Sequence, residues 1–424
     1  MKKSMRLADL IYNRQMKIFK HLLLIWAFWC GANSAFAQTW TQTGASTNFI
    51  WTAVASSADG TKLAAAASAG GIGIWVSTNS GATWTKTSAS TNNDWSWVAS
   101  SADGTKLVAM DGYYGVICTS ADSGTSWTKD NVPNWAWRSI ALSADGTKLV
   151  ASATDPAFNE YIFTSADSGT TWTSNSMPVT FALSVASSAD GTKLVAAANE
   201  GYIFTSTNSG ATWHSSGFFP GVDLHPVASS ADGTKLITGG GISTSPFMIT
   251  STNSGVTWTT NNVPGVDHMR WQAFASSADG NTLVAVAGSD VVSAAGAGPI
   301  FISTNSGTTW ALTDAPYESW SGVASSADGS KLVGSASPGR LGFPAGGIYT
   351  AQTTPAPQLD LTPTNGNLLL SWILPSTNFM MQQSSDLTSW ADMTNAPVLN
   401  LTKLQNEVIL SSPGSNVFYR LKTP

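Results

Sequence analysis

Ser57-Ala58-Asp59-Gly60-Thr61-Lys62-Leu63 is the stretch from which the fold can be read, because the chain repeats it. The same string or a near copy begins again at Ser101, Ser143, Ser188, Ser230, Ser277 and Ser326, at spacings of 44, 42, 45, 42, 47 and 49 residues. A second string, Ser-x-Asn/Asp-Ser-Gly-x-Ser/Thr-Trp, follows in six of the seven units and ends at Trp84, Trp127, Trp172, Trp213, Trp258 and Trp310. Self-similarity at this period means an architecture in which each unit buries its apolar surface against its neighbours.

The chemistry of one unit places four strands. Small residues such as Val54-Ala55-Ser56-Ser57 suit a crowded inner strand. Asp59-Gly60 makes a tight turn, since glycine accepts the positive φ such turns need. Lys62 to Ala66 reads as a second strand, and Tyr202-Ile203-Phe204-Thr205 shows the β-branched and aromatic character of a third. The Asn-Ser-Gly turn leads to a fourth, beginning at the box tryptophan. Seven such units predict an all-β fold, a seven-bladed β-propeller. The termini predict how it closes. The seventh unit stops after Gly347-Ile348-Tyr349-Thr350, and its missing outer strand is copied at the other end of the chain, where Thr39-Trp40-Thr41-Gln42-Thr43 matches Thr83-Trp84-Thr85-Lys86-Thr87. Residues 38–44 are therefore expected to pair with residues 346–351.

Ser120-Ala121-Asp122-Ser123-Gly124-Thr125-Ser126-Trp127 resembles the Asp-box, or BNR, repeat. The resemblance covers residues 38–351 and is to a group of folds that includes sialidases, xyloglucan-cleaving hydrolases, the sortilin luminal domain and photosystem II assembly factors. Asn79, Asn208, Asn253 and Asn305 stand where the pattern has Asp, a tolerable change because either side chain can bond the turn backbone. The box implies a structural turn shared by enzymes and binding proteins, so the resemblance implies a fold and leaves the activity open.

Four segments are expected. Residues 1–37 read as a signal peptide: basic Lys17 to Lys20, an apolar run from Leu22 to Trp29, then Ala35-Phe36-Ala37. Residues 38–353 form the propeller, 354–357 a Thr-Pro-Ala-Pro linker, and 358–424 a small β-sandwich similar to fibronectin-III-like modules, from the alternation at Asn367 to Trp372, Phe379 to Gln383, Glu407 to Leu410 and Val417 to Leu421. The apolar run is too short to span a bilayer stably and does not recur, so a secreted protein (periplasmic, cell-surface or extracellular) with no transmembrane segment in its mature form is expected. Loss of residues 1–37 leaves 14 basic and 24 acidic residues, a formal charge of −10, which argues against nucleic acid as a partner. Only Cys118 then remains, so no intrachain disulfide can form. A monomer without cofactor or metal is expected: the Asp-Gly turns lack the spaced ligands of a calcium loop, and neither HExxH nor GxSxG occurs.

In an antiparallel four-strand unit the repeated turns share one face and the variable loops the other, where binding chemistry is usually carried. Lys62, Lys106, Lys148, Lys193, Lys235 and Lys331 follow the Asp-Gly turns and read as solvated turn chemistry. Trp51, Trp95, Trp137, Trp271 and Trp320 stand eight positions before the turn Asp, either ringing the channel mouth as stacking surfaces or wedged between blades. Arg138, Arg270 and Arg340 fall in the variable segments with Tyr113, Tyr114, His268, Tyr317 and Glu318. Three convergent arginines and a Tyr/Glu pair are what a sialidase needs, but the Arg-Ile-Pro signature of that family is absent and sialidases have six blades. The expectation is an exported non-enzymatic binding or scaffold protein that holds protein or glycan on the loop face. A divergent glycoside hydrolase using the same face is the alternative.

Overall fold

The computed structural model describes residues 39–68, 72–178, 183–242, 245–263, 265–266, 269–289, 297–338, 346–352, 359–364, 367–373, 380–385, 390–393, 397–400, 402–403, 405–411 and 417–422. Seven four-stranded antiparallel sheets follow one another, with inner strands Ile50–Ser56, Trp95–Ser100, Ala136–Leu142, Leu183–Ser187, Asp223–Ser229, Met269–Ser276 and Ser319–Ser325. We number the sheets 1 to 7 in that order. The outer strand of six sheets starts one residue beyond the position expected, after the box tryptophan, and runs for only two to five residues.

Backbone hydrogen bonds at the turn end join the seven into a closed ring. Ala58 N donates to Ala102 O, Ala102 to Ala144, Ala144 to Ala189, Ala189 to Ala231, Ala231 to Ala278, Ala278 to Ala327, and Ala327 back to Ala58, all at 2.6–2.8 Å. Alanine at this column lets the backbones approach. Thr39–Gln42 completes sheet 7 by pairing antiparallel with Gly347–Gln352, Trp40 opposite Ala351 and Thr41 opposite Thr350. The strand brings Trp40 into a core with Trp320, Tyr349 and Val323, so it contributes burial as well as hydrogen bonds.

The turns differ from the reading of their lysines. Within a turn, Asp59 accepts Ser57 Oγ at 2.6 Å and Thr61 N at 2.9 Å, and Lys62 N donates to Ser57 Oγ at 3.0 Å. Each lysine leaves its own turn and crosses to the next sheet. Lys62 Nζ donates to Asp103 O, Lys148 to Asp190 O and Lys193 to Asp232 O, at 2.8–3.0 Å. The lysine stem lies where a Cβ on the next turn's glycine would be, which is one reason that residue is glycine. The lysines are clasps between sheets, correcting the view that they are merely solvated.

The boxes are turns held by one carboxylate or amide. Asp122 Oδ1 accepts Ser126 N at 2.8 Å and Ser120 Oγ at 2.9 Å, and Asn79 Oδ1 accepts Thr83 N and Ser77 Oγ at 2.9 Å, so Asp and Asn serve alike. The six box tryptophans are half-buried. The deeper wedges are Trp51, Trp95, Trp137, Trp271 and Trp320, 0–4% exposed. Trp137 packs on Val108, Met110 and Ile117 of sheet 2 together with Ile140 and Phe163 of sheet 3, and the others seal the preceding joint in the same way. A ring of exposed tryptophans is therefore not formed.

Residues 359–422 form two further sheets. Asp360–Thr364, Asn367–Ile373, Gln405–Ser411 and Val398–Asn400 make one, and Ala391–Asp392, Met380–Ser384 and Phe418–Lys422 the other. Leu370, Trp372 and Val408 of the first share a core with Met381 of the second. No helix among the described residues is long and apolar enough to cross a membrane.

Two outcomes check this packing. A chain beginning at Asn48, lacking the closing strand, is expected to melt well below one beginning at Gln38; equal melting would contradict the closure. Trp137→Ala is expected to cost about 3–5 kcal/mol by urea denaturation, as for other buried aromatics. The half-buried Trp172→Ala should cost about half of that.

Candidate functional site

Trp51 pairs with Ala67 but Ala53 with Ala66, so Thr52 is an extra residue in its strand. The same register shift recurs at Ser96, Arg138, His225-Pro226, Gln272 and Ser321, always one residue past the tryptophan, or past Leu224 in sheet 5. A bulge re-aims the side chain it carries. Here Thr52, Ser96, Arg138, His225 and Gln272 all line one cavity of about 730 Å³.

The cavity is bordered by inner-strand starts and by the loops that follow the second strands. Asp94, Asp223 and Arg270 stand two residues before a bulge, Gly112, Tyr113 and Asn199 come from the loops, and Ser68 and Gly240 from the second strands themselves. The opposite end of the ring has a smaller opening lined only by Ser, Ala and Leu. The cup gathers two guanidinium groups, two carboxylates, two amides and an imidazole, with the hydroxyls of Thr52, Ser68 and Ser96 between them. Trp137 and Trp271 contribute to the wall from their buried positions.

One of these groups, Arg138, is held from behind. Arg138 Nε donates to Thr154 Oγ1 at 3.2 Å, and Thr154 donates to Glu160 Oε1 at 2.7 Å. Glu160 is 1% exposed, and burial raises its pKa against the opposing effects of Thr154 and Arg138. Burial, and then the charge of Arg138, push the pKa of His225 down, so near neutral pH it offers a neutral ring that can accept or donate.

At the rim, Asp111 is fully buried and accepts three backbone N–H groups, those of Asp94, Tyr113 and Tyr114, at 2.8–2.9 Å. The fixed loop holds Tyr113 out at 80% exposure, edge to face with Tyr114 at a centroid distance of 4.9 Å.

Of the residues singled out in the sequence, Tyr113, Arg138 and Arg270 meet in the cup, and Tyr114 braces its rim. Trp51, Trp95 and Trp320 do not line the cup, and of the two alternatives for these five tryptophans the structure shows the wedge, Trp137 and Trp271 included, in place of the stacking ring. Glu318 is also corrected: it is 4% exposed and accepts the Tyr349 hydroxyl at 2.8 Å. Burial raises the pKa of Glu318 against the opposing Tyr349 hydrogen bond, and burial together with Glu318 raises that of Tyr349. Tyr317 is exposed but does not line the cup. His268 and Arg340 lie outside the described residues. Asp94, Asn199, Asp223, His225 and Gln272 were missed. A signal for four of them existed: aligned on the turn Asp, the column after the tryptophans reads Thr52, Ser96, Arg138, Leu183, His225, Gln272, Ser321, polar in all but one unit, and the column before the tryptophans, which holds Asp94, Asp223 and Arg270, varies as much.

No protein-family profile matches the chain, and no curated protein matches it by sequence. Solved structures do. The chain is similar to YCF48 bound to D1 peptide, at 15% identity and TM-score 0.53, over 75% of this chain and 97% of that one. It is also similar to the GH74 xyloglucanase from Xanthomonas campestris, at 15% identity and TM-score 0.53, over 79% of this chain and 59% of that one. A third is the Cps50 (Swd1) β-propeller domain from Myceliophteria thermophila, at 12% identity and TM-score 0.55, over 74% of this chain and 100% of that one. At these identities the likeness shows the fold, a β-propeller.

The rim makes a test that needs no ligand. Asp111→Ala should cost about 1–3 kcal/mol, because it strands three N–H groups. Tyr113→Ala should change stability by less than about 0.5 kcal/mol. Both are read by denaturant midpoints.

Proposed function

We propose that the chain is an exported, non-enzymatic binding protein and that its cup holds an oligosaccharide. The observation that carries this is the lining: Asp94, Arg138, Asn199, Asp223, His225, Arg270 and Gln272 converge on one cavity beside a solvent-exposed tyrosine. Planar polar side chains pair with adjacent hydroxyl groups, and an aromatic face stacks on a sugar ring. Opposite charges balance across the cup, which suits a neutral polar ligand. The leader-like residues 1–37 support export. Among proteins of this fold, one is recorded with a peptide and another is a xyloglucanase, so the fold accommodates either ligand class.

A glycan array read with the labelled mature protein, followed by calorimetry on the best ligand, tests the proposal. Arg138→Ala and Tyr113→Ala should each weaken binding about tenfold or more, roughly 1.4 kcal/mol. Val256→Ser, at an exposed box turn on the other face, should leave binding unchanged. Binding of peptides with no glycan signal would replace the ligand class. Release of reducing ends from the bound glycan would replace the non-enzymatic reading with that of a glycoside hydrolase.

A further inference from the structure

Asp130 follows the short outer strand of sheet 2 and is 6% exposed. The equivalent places in the other sheets hold Thr43, Thr87, Asn175, Ser216, Asn261 and Thr313, so a single carboxyl group stands in a column of neutral hydrogen-bonding side chains.

What that column does is plainest between sheets 4 and 5. Ser216 Oγ accepts Trp258 Nε1 at 3.2 Å and donates to the carbonyl of the box glycine, Gly255, at 2.5 Å. Asn175 Nδ2 likewise donates to Gly210 O at 3.1 Å, and the Asn261 amide, oriented to satisfy its neighbours, donates to Gly307 O at 2.7 Å. Three of these joints therefore carry a donor aimed at the next box carbonyl. Asp130 repeats the arrangement between sheets 2 and 3. Its Oδ2 accepts Trp172 Nε1 at 3.3 Å, and a Cβ placed on Gly169 would meet this oxygen first, as one on Gly255 would meet Ser216 Oγ. Its Oδ1 accepts Thr119 Oγ1 at 3.0 Å.

A carboxylate cannot donate. We infer that Asp130 keeps its proton near neutral pH and uses it as the donor at the joint between sheets 2 and 3, so that this joint weakens as the proton is lost. The groups around it agree. Asp167 of the adjacent box, whose own pKa is lowered by hydrogen bonds from Thr171 and Ser165, faces it with like charge. The Cys118 thiol lies on the other side, its pKa raised to about 11 by burial and by Asp130 itself. Lys129, the preceding residue, is a cation that acts on Cys118 in the opposite direction. Burial, with Asp167 adding to it and the Thr119 and Trp172 bonds opposing, pushes the Asp130 pKa up to about 7. Since the folded pKa is raised above the unfolded one, the contribution to stability is complete below about pH 4 and is lost as pH rises through about 7.

Asp130→Asn tests this, because asparagine donates at every pH and already serves in sheets 3 and 5. Between pH 5 and 9 the unmodified chain should lose about one to two powers of ten in its folding equilibrium constant relative to Asp130→Asn. An infrared carboxylic-acid C=O band that titrates near pH 7 should be present in the unmodified chain and missing in the variant. If Asp130→Asn does not fold, Asp130→Ser, copying Ser216, takes its place. Parallel pH profiles for variant and unmodified chain, or no protonated carboxyl at pH 6 that the variant removes, would overturn the inference.

Discussion

Near the axis each sheet passes one backbone N–H to the carbonyl of the next, at the alanine of its Ser-Ala-Asp-Gly turn, and the seventh returns the bond to the first. This closed ring sets the terms for the rest of the structure. Backbones close enough to bond leave room only for small side chains, hence the Ser and Ala columns. A ring that must close needs its last sheet completed, which is what Trp40 and its neighbours in the first strand do. Bulk excluded from the axis moves outward into the joints, where the buried tryptophans sit.

The same constraint decides where individuality is allowed. A column that makes ring bonds, turn bonds or box bonds has to be the same in every unit, and the Asp-Gly turns and boxes nearly are. The bulged residue is in the strand but outside its pairing, so it can be Thr52, Arg138, His225 or Gln272 without disturbing the ladder. Arg138 carries its own support through Thr154 and Glu160, as a side chain needs when it is to be held in one place in an open cavity.

The repeat, the closing strand and the tail strands were legible because each rests on short-range pattern. For Trp51, Trp95, Trp137, Trp271 and Trp320 the sequence offered both the wedge that forms and a ring at the channel mouth. Alternation along a strand assigns Trp51 and Ala53 to one face, but the bulge at Thr52 makes them oppose consecutive partners, Ala67 and Ala66, and so separates their faces. Every reading of exposure near the start of an inner strand inherits that error of one residue. His225 and Gln272 escaped notice for the same reason, as they looked like ordinary strand positions rather than the floor of a cup. Glu318 looked like a loop acid because its partner, Tyr349, comes from another strand of the sheet. Asp130 could be seen only by aligning the units and asking what its neutral counterparts donate to.

Amide hydrogen exchange at pH 6, followed by NMR, tests the ring most directly. The account predicts that the amides of Ala58, Ala102, Ala144, Ala189, Ala231, Ala278 and Ala327 exchange together and only through global unfolding, with protection as high as any in the protein. Fast exchange at Ala58 or Ala327, with the others protected, would mean an open ring and would contradict it.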